Sequence, residues 1–259
     1  SAFHSDIEDF LATKKINADD DSRLKTLSLG VSVPNKFIEL AKADQGMYVF
    51  YPHTVEQEYG IPFADISVDM DKWYDKLVEN ENVRKRKIEP RKLLDTMAQL
   101  QSESGYPYIF FADNVNNKEA NPVNKPIKFS NLCTEILQRS ELSKYADYNE
   151  TEKDEIGLDI SCNLASGHMG NMIENNTIKE TVESAMAVMN SVSLKTDIKH
   201  VPGVRKANEL LRSVGFGMMG HHGFIAKNMI PFGSEQDIDL LDVFFNAVNY
   251  HSLKYSMEL

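Results

Sequence analysis

The run Ser130-Asn131-Leu132-Cys133-Thr134-Glu135 decides the reading of this chain, because it carries one of only two cysteines in 259 residues. Read as an extended segment it alternates faces, so Asn131, Cys133 and Glu135 point one way and Leu132 and Thr134 the other. One sulfur is then flanked by an amide and a carboxylate. That trio suits chemistry on a vicinal diol: the carboxylate takes a hydroxyl proton, the amide fixes the neighbouring hydroxyl, and sulfur acts on the carbon between them. The second cysteine lies in Asp159-Ile160-Ser161-Cys162-Asn163-Leu164.

Spacing by itself favours a plainer reading, since free cysteines are among the most buried residue types and pass as inert core. No Cys-x-x-Cys or His-Cys metal spacing occurs, which disfavours zinc and leaves no metal ligand set. His221 and His222 are adjacent and cannot share one face of a helix or strand, so a joint metal site is disfavoured there too. Two cysteines also speak against a disulfide-stapled secreted fold and for a reducing cytoplasm. No apolar run reaches the roughly 18 residues that span a bilayer and no signal peptide opens the sequence, so a cytoplasmic protein with no membrane partner is expected.

Hydrophobic residues make up 42% and charged residues 26%, ordinary for a globular protein of one large or two small domains. A formal charge of −11 argues against a nucleic-acid footprint, which needs clustered Lys and Arg. The basic run Arg84-Lys85-Arg86-Lys87 reads as a solvated helix end or loop.

Periodicity predicts alternating helices and strands. A helix is expected over 5–15, capped by Ser5, followed by a strand over 26–33 in which Leu27, Leu29, Val31 and Val33 share one side. Pro34 opens a helix to about Lys42, and Met47 to Tyr51 is a short strand. Helices follow over 71–79 and 90–102, the latter stopped by Gly105, then a buried aromatic strand over 108–111. Residues 114–128 form a long polar loop, which by its length and its position before Cys133 is read as functional. A polar, acidic surface stretch follows over 140–153. Residues 156–162 read as a strand that ends at Cys162, where α/β proteins tend to put chemistry.

An amphipathic helix covers 177–194, its methionines filling core. Another helix spans 204–214. The glycines between Gly215 and Gly223 match neither phosphate-loop fingerprint and read as close packing at a strand end. A last helix starts near Ser234, with Asp237 completing a capping-box-like pair.

Three motifs in order give the chain a family resemblance: Asp6-Ile7-Glu8-Asp9-Phe10-Leu11-Ala12-Thr13-Lys14-Lys15 with Lys25-Thr26-Leu27-Ser28-Leu29-Gly30, then Ser130 to Glu135, then Ser161-Cys162-Asn163-Leu164-Ala165-Ser166. Together they resemble the large catalytic subunit of class I ribonucleotide reductase, in its class Ib branch, and the likeness continues through Gly215-Phe216-Gly217-Met218-Met219-Gly220. Gly167-His168 departs from the Leu-Asn common in relatives. The resemblance implies a middle slice of a longer subunit. The allosteric specificity loop and the redox partner of Cys162 would precede Ser1. The substrate phosphate loop, a tyrosine pair of the radical path and the C-terminal shuttle cysteines would follow Leu259.

The fold so implied is an α/β barrel of ten strands in two parallel halves, with the cysteine on a central finger loop. Residues 1–128 would close the first half, and residues 129–259 would hold the finger and open the second. The implied reaction reduces ribonucleoside diphosphates to 2′-deoxyribonucleoside diphosphates by thiyl-radical chemistry. In it Cys133 is the thiyl radical, Glu135 the general base at the 3′ hydroxyl, and Asn131 a hydrogen-bond partner near the 2′ hydroxyl. Leu132 and Leu164 contact the substrate beside them, and Cys162 is one half of the reducing dithiol. No cofactor is expected in this chain. The resemblance implies a radical from a dimetal small subunit and electrons from a thioredoxin- or glutaredoxin-like reductant. An incomplete barrel leaves open strand edges, so other fragments of the large subunit are expected partners. The competing expectation is a non-catalytic remnant of the barrel that acts only in subunit association.

Overall fold

A computed structural model describes residues 1–17, 23–24, 26–117, 125–161 and 163–259, and the chain divides into two compact units, 1–140 and 141–259. The first unit runs α1 (Ile7–Ala12), β1 (Gly30–Val33), α2 (Asn35–Ala43), β2 (Met47–Phe50), α3 (Pro52–Tyr59), α4 (Phe63–Ile66), α5 (Met70–Glu79), β3 (Lys85–Ile88), α6 (Pro90–Ser104), β4 (Tyr108–Phe111) and α7 (Ala112–Asn116). β1 and β4 pair in parallel with Gly30 opposite Tyr108, and β2 pairs antiparallel with β3. Phe3, Phe37, Phe50, Met47, Leu77 and Met97 are sealed in one core. The Phe3 ring meets Phe37 edge-on with centroids 6.5 Å apart, a favoured aromatic geometry.

Local chemistry sets the helix boundaries. Proline stands at the first turn of α3 and α6, where its missing N–H costs nothing. Gly60 and Gly105 end those helices in the left-handed region that only glycine enters freely. α1 is shorter than expected and starts after Asp6, because Ser5 is buried and its hydroxyl donates to Asp6 Oδ1 at 2.6 Å instead of capping.

Two strand expectations change. β1 keeps only Gly30–Val33 of the predicted 26–33, Leu27 stands exposed, and Ser32 is buried along with Val31 and Val33. A parallel pair covered on both faces does not alternate, so the period-two pattern overstated its length. The basic run is also no helix end or loop, since Lys85, Arg86 and Lys87 lie in β3 beside β2. Its charges are carried off the sheet. Arg86 donates to the Ser5 carbonyl at 2.6 Å and to Glu8 Oε2 at 2.7 Å, and Lys85 Nζ donates to the Asn80 carbonyl at 2.7 Å. The predicted loop from 114 begins inside α7, and its residues 118–124 lie outside the described residues. Asn116 ties its ends, donating to the Ala112 and Ile127 carbonyls at 2.9 Å and accepting from Ile127 N at 2.7 Å.

The second unit contains β5 (Asn163–His168), α8 (Met169–Glu174), α9 (Ile178–Lys195), α10 (Pro202–Leu211), β6 (Val214–Met219), α11 (His221–Lys227) and α12 (Glu235–Glu258). β5 and β6 pair in parallel from Asn163 opposite Val214 to His168 opposite Met219. Residues 156–161 are not the predicted strand: Glu155 and Leu158 make isolated bridges to Lys144 and Glu141, and the strand begins at Asn163. Gly215 and Gly217 of the glycine-rich segment lie in β6, while Gly220 caps α11 and Gly223 lies within it. A Cβ on Gly215 would come within 2.5 Å of Leu164 Cδ2, so the exposed Leu164 side chain would have to turn aside to admit one. Met186 and Met189 fill the core around Phe244, as their helical spacing predicts, and Met169 and Met172 join them from α8, a helix the periodicity did not announce. Ser234 Oγ accepts from Asp237 N at 3.3 Å and caps α12. The Asp237 carboxylate turns away, accepting from Gly233 N at 2.9 Å and meeting His221 Nε2 at 2.6 Å.

Candidate active site

Cys133 sits at a chain reversal rather than in a strand. Thr134 N donates to the Asn131 carbonyl at 3.2 Å, and Asn131 N to the Ile136 carbonyl at 3.2 Å, closing a tight turn. The Asn131 side chain reinforces it, its Oδ1 accepting from Ile136 N at 3.0 Å. Ser130 Oγ adds bonds to the Asn131 carbonyl at 3.0 Å and to Thr134 Oγ1 at 3.3 Å. The alternation expected of an extended run therefore fails across Leu132–Thr134, and the amide oxygen of Asn131 serves the turn. Short polar side chains commonly compete in this way for nearby backbone N–H groups.

Thr134 adopts φ +67°, a left-handed conformation that a β-branched residue resists by on the order of 1–3 kcal/mol. The strain is held by the five hydrogen bonds just described, and its result is exposure. Cys133 is a free, exposed thiol, Leu132 is 68% exposed, and Glu135 is exposed. The burial that would have made Cys133 an inert core residue is absent.

The root of the turn rests on the β1–β4 pair. Phe129 stacks on Phe110 with centroids 6.3 Å apart, and its ring edge lies 3.4 Å from where a Cβ on Gly30 would stand. A cleft of about 370 Å³ opens beside it, lined by residues that include Ser1, His4, Phe10, Gly30 and Phe129. Tyr106 and Tyr108 enter the strand here, ring centroids 5.2 Å apart, with Tyr106 Oη 3.2 Å from Ser28 Oγ. The hydrogen bonds of Tyr106 with Ser28 and Tyr108 hold its phenol below the ordinary tyrosine range, while the shared bond pushes Tyr108 up. Glu135 adds to the upward push on Tyr108. Sequence reasoning missed this pair, although Tyr-Pro-Tyr followed by an apolar run was a visible sign of phenols at a strand entrance.

Asn131, Leu132, Cys133 and Glu135 are thus brought together by one turn of the first unit. Leu164 belongs to the second unit, where it is 58% exposed on β5. Cys162 lies outside the described residues, but both of its neighbours are described and both are anchored. Asn163 Nδ2 donates to Ser193 Oγ at 2.5 Å, and Ser161 Oγ bonds Asn208 Oδ1 at 3.4 Å. Asn208 Nδ2 donates in turn to the Ser193 carbonyl at 2.7 Å, and Ser193 and Asn208 are both buried. Neither anchor was foreseen, because each lies on a helix remote in sequence. His168 takes the N-cap of α8, its Nδ1 accepting from Asn171 N at 3.3 Å. Among the described residues no cluster of His, Cys, Asp or Glu could hold a metal ion, and no helix is long and apolar enough to cross a membrane.

A family profile described as the barrel domain of ribonucleotide reductase matches residues 1–259, the whole chain. The chain belongs to the ribonucleotide reductase barrel-domain family. The ribonucleoside-diphosphate reductase subunit alpha of Bacillus subtilis is 51% identical over 257 residues, which cover 99% of this chain and 36% of that protein. The subunit alpha of Mycoplasma pneumoniae is 40% identical over 259 residues, covering 100% of this chain and 35% of that one. The solved structure of the class Id ribonucleotide reductase alpha subunit from Actinobacillus ureae superposes with a TM-score of 0.64 at 21% identity, covering 99% of this chain and 39% of that one, a likeness of fold. The chain therefore spans about a third of the length of these curated relatives. Its two units are pieces of a ribonucleotide reductase barrel.

Proposed function

We propose that this chain is the radical-cysteine segment of a ribonucleoside-diphosphate reductase catalytic subunit, working as one piece of a longer or split subunit. The observation that carries the reading is Cys133, an exposed thiol at the tip of a strained and hydrogen-bonded turn, with Glu135 two residues on. Strain held in place by surrounding bonds is a mark of functional sites.

In this reading Cys133, as a thiyl radical, removes the 3′ hydrogen of a ribonucleoside diphosphate and later returns it. The S–H bond is close in strength to the C–H bond it replaces, so transfer runs both ways. Glu135 takes the 3′ hydroxyl proton, and Asn131 hydrogen-bonds near the 2′ hydroxyl, with Leu132 and Leu164 against the sugar. The 2′ oxygen leaves as water. Two electrons come from Cys162 and a second cysteine supplied by the rest of the subunit, which close to a disulfide. A thioredoxin- or glutaredoxin-like reductant reopens it, and a small subunit with a dimetal centre supplies the radical. The finger-loop placement of Cys133, and the division into half-barrels at residues 128 and 129, belong to this proposal.

The test mixes the chain with pieces that supply the remaining length of its relatives and with a radical-generating small subunit, and follows conversion of a ribonucleoside diphosphate to its deoxy form. Cys133→Ser is expected to abolish turnover, and Cys162→Ser to stop net reduction while leaving radical entry intact. Full turnover in the Cys133→Ser mixture overturns the assignment. No turnover with every piece present, all of them folded, favours instead a barrel remnant that acts only in subunit association.

A further inference from the structure

We propose that Asn116 and Phe129 are positioning residues for the Cys133 thiol: they moor the incoming stem of the cysteine turn to α7 and β4, and so fix where the turn carries its sulfur. The inference rests on the functional reading above and deepens it, naming what holds the reactive turn in place.

The turn is one hydrogen-bonded body. Its bonds among Ser130, Asn131, Thr134 and Ile136 close on themselves, and Ser130 follows Phe129 directly. A shift of the stem therefore passes to the tip, where Cys133 lies exposed. Two locks hold that stem. The first is the Asn116 carboxamide, at the end of α7. It donates to the Ile127 carbonyl at 2.9 Å and accepts from the Ile127 N–H at 2.7 Å, the paired donor and acceptor that a neighbouring strand would offer. Its nitrogen also donates to the Ala112 carbonyl at 2.9 Å, which ties the carboxamide to its own helix. Both amide hydrogens and the oxygen are engaged, so the group cannot turn without breaking bonds.

The second lock is apolar. Ile127 is buried and packs with Phe110 and Ala112. Two residues on, the Phe129 ring stacks on the buried Phe110 with centroids 6.3 Å and planes 14° apart, an offset arrangement that aromatic pairs favour. The edge of the same ring lies over Gly30 of β1, the strand paired with β4, where a Cβ would stand 3.4 Å from Phe129 Cε1. One lock fixes backbone at residue 127 and the other fixes a ring at residue 129. Two fixed points on one short stem set its direction as well as its place. Both locks belong to one continuous piece of chain, since α7 begins at Ala112 where β4 ends at Phe111. Hydrogen transfer between a thiol and a bound sugar depends on that placement, because a displacement of about 1 Å can cost a reaction on the order of 100-fold.

The experiment compares Asn116→Ala and Phe129→Ala with Phe129→Tyr, which keeps the stack. In the reconstituted reductase, Phe129→Ala and Asn116→Ala are each expected to lower kcat about tenfold with KM within twofold, and Phe129→Tyr to restore the wild-type value. In the chain by itself, the rate at which iodoacetamide alkylates Cys133, read by mass spectrometry of its peptide well below the melting temperature, is expected to change at least about threefold in both alanine variants and to return in Phe129→Tyr. A merely structural role would lower the melting temperature and leave both readings unmoved. Wild-type kcat and wild-type alkylation rate in the Asn116→Ala, Phe129→Ala double variant overturn the inference. Should the double variant fail to fold, Phe129→Ala decides by the same two readings, because that ring is 43% exposed and its loss leaves the core intact. The alkylation rate needs no turnover, so it is decided independently of whether Cys133→Ser upholds the functional reading.

Discussion

The two cysteine regions solve the same problem in opposite ways. Around Cys133 the chain holds itself: five hydrogen bonds among Ser130, Asn131, Thr134 and Ile136 close the turn, and the thiol stands in the open. Around Cys162 the chain is held by others, since Ser161 and Asn163 reach to Asn208 on α10 and Ser193 on α9, both buried. Local bonds tolerate strain and permit exposure. Anchors from remote helices give rigidity but depend on the packing of the whole unit.

The largest expected effect breaks the comparison at its reactive end: Cys133→Ser should lower reconstituted turnover by on the order of 10³-fold or more, with the melting curve unmoved, as measured by product formation and calorimetry. A wild-type rate would leave the exposed turn without its reason. Next comes the core of the unit that carries it. Phe37→Ala, in a fully buried ring position of the first unit's core, should cost about 3–5 kcal/mol by urea unfolding. The second unit's anchors come third: Asn208→Ala removes the bond to the Ser193 carbonyl and orphans a buried oxygen, and about 1–3 kcal/mol of lost stability is expected. Asn208→Ala without loss would show that the flanks of Cys162 are not tethered as described.

Thr134→Gly sharpens the first region. It relieves the left-handed strain at φ +67° but frees the unfolded chain, so stability should change by less than about 1 kcal/mol while the Cys133 alkylation rate rises as the turn loosens. The smallest effect lies furthest from both cysteines. Asp237 is held below the ordinary carboxylate range, first by the Gly233 N–H and then by His221. A depressed carboxylate contributes stability that is complete above its unfolded value of about 3.9 and is lost as pH falls through the lower folded value. The melting temperature should therefore decline below about pH 4, and Asp237→Asn should lower it slightly in the neutral range, where that stability is complete, and flatten the acid limb.

How far the sequence could be read differs between the regions for the same reason. The Cys133 segment was singled out from six consecutive residues, because its residue types and most of its bonds are local. Its shape was misjudged, since nothing in the run announces that Asn131 will bond the backbone of Ile136 or that Thr134 will turn left-handed. β3 was hidden by its charges, whose partners Ser5 and Glu8 are some 80 residues distant in sequence. β5 was displaced to the far side of Cys162, because its true boundary is set by pairing with β6, not by its own hydrophobicity.

By itself the sequence determined the family resemblance, the candidate pair Cys133 and Glu135, Met186 and Met189 in the second unit's core and the helices α2, α5, α6, α9, α10 and α12, all of them properties that repeat within a few turns of chain. Only the tertiary structure decided that the thiol would be exposed at a reversal, that Tyr106 would meet Ser28 at the entrance of β4, and that Ser193 and Asn208 would grip the neighbours of Cys162. Those outcomes depend on which distant segments meet. Hydrophobic periodicity says which face is buried, but not against what.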